Sequence, residues 1–142
     1  MKQAFTMIEM VFVMVILGIL ASVAIPRLTA VTHDAQIAKG QADVATVRSA
    51  IMNERQTQLI KGITTFIPTL SNSPSKLFTG DGNRTLMLYG VSSGEWKRVS
   101  PRKSYADSYE YKVGSSINTF DYNAINGIFE CTSGNECSQL TQ

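Results

Sequence analysis

The chain has 142 residues and a formal net charge of +2, which excludes a strongly basic or acidic partner gripping the whole molecule. Two cysteines and a single histidine cannot build a closed zinc site, and no metal or cofactor is expected. Hydrophobic residues make up 44% of the chain but cluster in residues 5–25, leaving about 115 residues, enough for one small domain and too few for two.

Residues 5–25 read FTMIEMVFVMVILGILASVAI, almost unbroken hydrocarbon with one carboxylic acid, Glu9, set inside it. As a helix the run reaches roughly 31 Å, the thickness of a bilayer's hydrocarbon core. An acid at mid-membrane costs about 2.5–3.5 kcal/mol, less toward the ends, so Glu9 needs a partner or a task. If the bond between Ala4 and Phe5 is cut, the new amine has a pKa of about 7.7–8 and is a cation that Glu9 of a neighbouring copy can neutralise. Lys2 and the terminal amine favour a cytoplasmic N-terminus, and the rest of the chain then faces outward. A secretory signal peptide would use Ser22-Val23-Ala24 as its cleavage site but leaves the acid in the apolar core unexplained. A plain anchor explains the length of the run and gives Glu9 no role.

Past the run, residues 28–60 carry a helical pattern. Val31, Ala38, Ala45, Met52 and Leu59 recur every seven residues, Ile37, Val44 and Ile51 share their face, and Asp34, Gln41, Arg48 and Arg55 lie opposite. This predicts an amphipathic helix continuing the first run through a kink at Pro26, packing on a sheet, and stopping at Gly62. A coiled coil is the alternative reading of the same heptads. His33 reads as a solvated helix residue.

Residues 63–82 are rich in breakers, Pro68, Ser71-Asn72-Ser73-Pro74-Ser75 and Gly80-Asp81-Gly82-Asn83 among them, and predict a surface loop. Five strand-like runs follow at 84–91, 95–99, 108–113, 117–122 and 128–131, separated by turn residues at meander spacing. Tyr109, Tyr111 and Val113 alternate with polar residues, so one face of the sheet is expected against the helix. Cys131 and Cys137, with Gly134-Asn135 between them, read as a disulfide in an oxidising compartment.

Gly90-Val91-Ser92-Ser93-Gly94 fits the G-x-S-x-G nucleophile elbow, but the only histidine lies upstream and Pro101 leaves no room for the helix the motif needs. The string is read as a hairpin turn, and no enzymatic activity is expected. Asp81-Gly82-Asn83 is likewise read as a turn, since a calcium loop needs an acid where Ser92 stands. Lys97, Arg98, Arg102 and Lys103 beside Trp96 form the one local basic patch, a candidate DNA contact by stacking and phosphate pairing. Asn83-Arg84-Thr85, with Asp81 two residues ahead, is an N-x-T acceptor that resembles the extended bacterial N-glycosylation sequon.

Phe5-Thr6-x-x-Glu9, an apolar run with Gly18 inside it and Pro26 at its end together resemble the prepilin signature of type IV pilins and type II secretion pseudopilins. Ala4 stands where that family usually has glycine. The resemblance implies cleavage between Ala4 and Phe5 by a membrane prepilin peptidase, N-methylation of Phe5 and a part for Glu9 in assembly. It also implies an α+β fold, a long N-terminal helix packed on a small C-terminal antiparallel sheet. The expected organisation is a leader over residues 1–4, a transmembrane and filament-core half-helix over 5–28, and a globular domain over 29–142, with its helix at 29–61, loop at 62–83 and sheet at 84–142. The expected function is that of a pseudopilin or minor pilin in a type II secretion or natural-transformation machine. Its partners would be other pilin-like subunits, the peptidase, an inner-membrane assembly platform driven by a cytoplasmic ATPase, and DNA or a secreted protein. Its place would be the bacterial inner membrane, crossed once with the C-terminal domain periplasmic, and then a periplasmic or surface filament. The competing expectation is a membrane-anchored periplasmic binding module that never polymerises.

Overall fold

A computed structural model describes residues 5–100 and 106–142, with backbone alone at 26–30 and at Ser92; Ala4, Arg102 and Lys103 lie outside the described residues. The elements run helix α1 (Met7–Ile60), strands β1 (Lys76–Leu77), β2 (Val91–Ser92), β3 (Trp96–Val99), β4 (Ala106–Val113), β5 (Ser116–Asn123) and β6 (Ile128–Ser133), and a short helix α2 (Cys137–Leu140). This is the expected α+β arrangement, a long N-terminal helix followed by a small antiparallel sheet. The chain divides into two compact units, Met1–Ala35 and Gln36–Gln142, and the division falls inside α1.

Both ends of α1 are set by local chemistry. Thr6 precedes the first turn and its Oγ1 accepts the backbone N–H of Glu9 at 3.3 Å, an N-cap that satisfies one of the helix's orphan donors. The backbone stays helical through Pro26. At the other end Gly62, at φ +78°, donates to Leu59 O, and Ile63 N–H reaches back to Gln58 O at 2.9 Å, the paired bonds of a Schellman stop.

In the second unit, β3, β4, β5 and β6 form a meander in chain order, every neighbour antiparallel. The α1 residues buried there are Ile37, Gly40, Val44, Val47, Ile51, Glu54 and Gln58, a seam stepping by three and four residues. Gly40 is required by that close packing, since a Cβ would stand 2.5 Å from Leu140 Cδ2 and 2.6 Å from Tyr111 Cε1. Aromatic rings fill the space over the sheet: Trp96 contacts Phe78 edge-on at 5.4 Å, and Phe120 stacks on Phe129 at 5.3 Å.

The structure corrects three of the expectations. First, the column Val31, Ala38, Ala45, Met52 and Leu59 is exposed, while Gln41 and Arg48 turn inward to carbonyls of Gln139 and Phe129 and Arg55 lies 4.5 Å above the Phe66 ring. Alanine does not distinguish a core face from a solvent face. The sheet edge and the C-terminal segment meanwhile offer acceptors to long polar side chains, so the polar column is drawn toward them. Second, the breaker-rich segment is no surface loop, because Ile67, Leu70, Leu77 and Phe78 are fully buried in it. Third, residues 84–90 form no strand; only Thr85 makes an isolated bridge, to Gly80, and β2 pairs with β1 rather than with β3. Gly90-Val91-Ser92-Ser93-Gly94 therefore does not connect two paired strands, although residues 93–95 do turn the chain into β3.

Cys131 and Cys137 are joined by a disulfide that ties the end of β6 to α2, and the neighbouring Leu140 is buried. Closing this short loop removes unfolded-state entropy worth about 2–3 kcal/mol in the chain-entropy model. Reduction is expected to lower the melting temperature of the full-length protein in detergent by several degrees. An unchanged melting curve, with free thiols verified by alkylation, contradicts this.

Candidate functional site

The chemistry that distinguishes this chain lies in its first unit. Met7–Ile25 is 19 residues long with mean hydropathy 2.7, long and apolar enough to cross a membrane, and its large side chains are exposed, Phe12 at 65% and Leu20 at 61%. Exposed hydrocarbon on this scale requires lipid or other protein as its solvent. Glu9 lies in the first turn of α1, exposed, where the helix's partial positive charge favours a carboxylate. Thr6 and Glu9 also have the spacing of a capping box, a local reason for both residues. Phe5 is 72% exposed at the head of the helix.

The basic patch does not survive as a stacking site. Trp96 is 1% exposed, its ring packed against Phe78, Tyr111, Phe120 and Phe129, and its Nε1–H donates to Asp43 Oδ2 at 2.9 Å. The ring is therefore not placed to stack on a base, contrary to expectation: on β3 it faces the core, where its apolar surface is removed from water. Arg98 is committed to the fold, donating to Asp107 Oδ1 and to Ser71 O, each at 2.7 Å. Lys97 is exposed and stands opposite Glu110 across the β3–β4 pair, a cross-strand pairing of opposite charges.

Sequence reasoning missed the polar cluster centred on Asp107. Its carboxylate accepts the Leu70 N–H at 2.8 Å, the Thr69 hydroxyl and the Arg98 guanidinium, and the Tyr109 hydroxyl donates to Ser71 Oγ at 2.9 Å. Ser71 Oγ also accepts the N–H of Phe78, which holds φ +61° while its ring enters the core. Burial, with the Asp107 charge beside it, pushes the Tyr109 phenol far above its ordinary pKa, so it remains a donor. These bonds pin the irregular 66–80 segment onto the sheet. The only sequence signal for it was the acid among strand residues, which reads equally as a solvated position. Near the other end of the sheet, Lys39 Nζ pairs with Glu95 Oε2 at 2.6 Å and lowers the Glu95 pKa, chiefly through that hydrogen bond. Among the described residues no group of three or more metal-ligating side chains comes together.

A long helix with an apolar head, followed by a small antiparallel sheet, is the arrangement of pilins, and it defines the class of this protein. The model for the prokaryotic N-terminal methylation motif matches residues 1–25. The type IV narrow pilus major component PilA5 of Thermus thermophilus is 40% identical over 119 residues, covering 84% of this chain and 94% of that protein. No solved structure matches. The chain belongs to the type IV pilin family, and it is a structural subunit of the pilus-like kind.

Proposed function

We propose that this chain is a filament-forming subunit of a type IV pilus: it is cut between Ala4 and Phe5 by a prepilin peptidase, methylated on the Phe5 amine, and joined to its neighbours through Glu9. Before assembly the apolar helix crosses the inner membrane once, N-terminus cytoplasmic and sheet unit periplasmic. An assembly platform then moves the subunit into the filament. The observation that carries this reading is Glu9, one exposed carboxylate in the first turn of an apolar 19-residue span. Attraction to a neighbour's amine offsets its desolvation cost; alone in lipid that cost is uncompensated. The exposed Ala38, Ala45 and Met52 of the second unit add small and apolar surface for packing against further copies. No catalytic role is assigned to any residue.

A surface pilus is favoured over the short secretion or DNA-uptake pseudopilus because the relative named above is a pilus component, and burial of Trp96 removes the feature that pointed to DNA. An anchored binding module that never polymerises accounts for Glu9 only as a residue of the first helical turn and leaves the cost of its charge in lipid without a compensating partner.

Glu9→Ala is expected to insert into the membrane at wild-type levels and to be lost, tenfold or more, from the sheared filament fraction. Wild-type filament yield from that mutant overturns the pairing. Intact mass of the membrane form tests the processing: the expected chain begins at methylated Phe5, and a chain beginning at Ile25 supports an ordinary signal peptide instead.

A further inference from the structure

Of the seven asparagines in the chain, Asn83 is the only one with threonine or serine two positions on and no proline between or after, in Asn83-Arg84-Thr85. Asparagine in loops normally serves the fold through local hydrogen bonds. Four of the seven accept hydrogen bonds that serve the fold here, Asn123 and Asn126 locally and Asn72 and Asn118 at longer range. Asn72 accepts from Thr79, Asn118 from Glu136 N–H, Asn123 from Ile125 N–H and Asn126 from Ile128 N–H. At Asn83 that work is done by a neighbour, since Asp81 Oδ1 accepts both the Asn83 N–H, at 2.9 Å, and the Arg84 N–H, at 2.6 Å. The Asn83 carboxamide and the Thr85 hydroxyl make no hydrogen bond among the described residues, and both side chains are exposed. Between them Arg84 reaches to Thr65 and toward the buried Glu54. Asn83 also borders a groove of about 360 Å³ lined by Asn53, Thr57, Gln58 and Lys61, a surface that matches sugar hydroxyls with both donors and acceptors.

We propose that Asn83 is an acceptor for N-linked glycosylation. The co-reactant is a polyprenyl-diphosphate-linked sugar presented by a membrane transferase. Asn83 Nδ2 forms a bond to the anomeric carbon, that carbon's bond to the diphosphate oxygen breaks, the amide gives up one proton, and the lipid diphosphate leaves. The geometry serves this transfer because nucleophile and hydroxyl are presented on a held turn and neither has to be freed from the fold. The proposal rests on the outward placement of the sheet unit given above.

The test is mass spectrometry of the protein purified from its own host, with peptide fragmentation that retains the side-chain modification. The expected result is a mature chain heavier than its polypeptide by at least one sugar residue, with the added mass on Asn83. Asn83→Gln and Thr85→Ala should abolish the added mass and Thr85→Ser should keep it, all three melting with the wild type because neither side chain is used by the fold. A mature chain at bare polypeptide mass overturns the proposal, as does a glycan that persists in Asn83→Gln. The same spectrum reads the N-terminus, so an unmodified chain that begins at methylated Phe5 counts against the glycan and leaves the pilin reading standing.

Discussion

Asp107→Ala is expected to destabilise the globular unit by about 2–4 kcal/mol, the cost of taking a buried acceptor from several donors, below that of a fully buried ion pair because the Arg98 side chain is 34% exposed. The carboxylate is 8% exposed as a side chain, and its loss leaves the Leu70 N–H without its acceptor and takes one acceptor each from Arg98 and the Thr69 hydroxyl, which keep Ser71 O. A small domain has only about 5–15 kcal/mol in total, so the mutant should sit near the edge of folding at 37 °C. The damage should begin locally. The segment carrying Ile67, Leu70, Leu77 and Phe78 has no sheet ladder beyond the two residues of β1, and it depends on this acceptor to stay docked. Urea denaturation of full-length protein in detergent measures the total loss, and hydrogen exchange at residues 66–80 should quicken before the strands open. Asp107→Asn keeps one acceptor oxygen and should fall between mutant and wild type. A midpoint change worth less than about 0.5 kcal/mol, the size of an ordinary surface substitution, contradicts the account.

Trp96→Ala is expected to cost about 3–5 kcal/mol, through the cavity left by a large buried ring. Trp96 touches four other aromatic rings, and its indole N–H is the described donor to Asp43 on α1, so the residue joins β3 to the helix as well as filling space. Trp96→Phe restores most of the packing and leaves Asp43 short of a donor, a loss of about 1–3 kcal/mol. Chemical denaturation of the pair separates these contributions. The measurement also decides between core and nucleic-acid surface. A stacking residue would give a stable Trp96→Ala protein with weakened DNA binding, whereas a core residue gives an unstable one.

The two substitutions mark where reading the chain in one dimension stopped. Residues 5–25 were legible because membrane compatibility is a property of composition and length, and because Glu9 is conspicuous against hydrocarbon. The strands of the meander were legible from alternation: Tyr109, Tyr111 and Val113 are buried as their spacing predicts. The Gly62 stop and the Cys131–Cys137 bridge are likewise local, made by residues a few positions apart. The rest turned on contacts between residues far apart in sequence. Trp96 and Lys97 are equal candidates for a surface until β3 takes its place beside β4 and sends the ring inward. Asp107 is an acid among strand residues until the 66–80 segment folds over it. Ala38, Ala45, Gly40 and Val47 alternate on one helix, and small side chains say little about which side meets the core. Gly40 and Val47 face inward because the sheet and Leu140 come close on that side. The sequence by itself determined the apolar helix, its acid, its Gly62 stop, the meander of the last four strands and the bridge, since each rests on local pattern along the chain. Tertiary structure alone decided which helix face is buried, which loop is core and which polar side chains serve the fold, since those depend on what is brought opposite, and a hydrophobic pattern records burial without recording the partner.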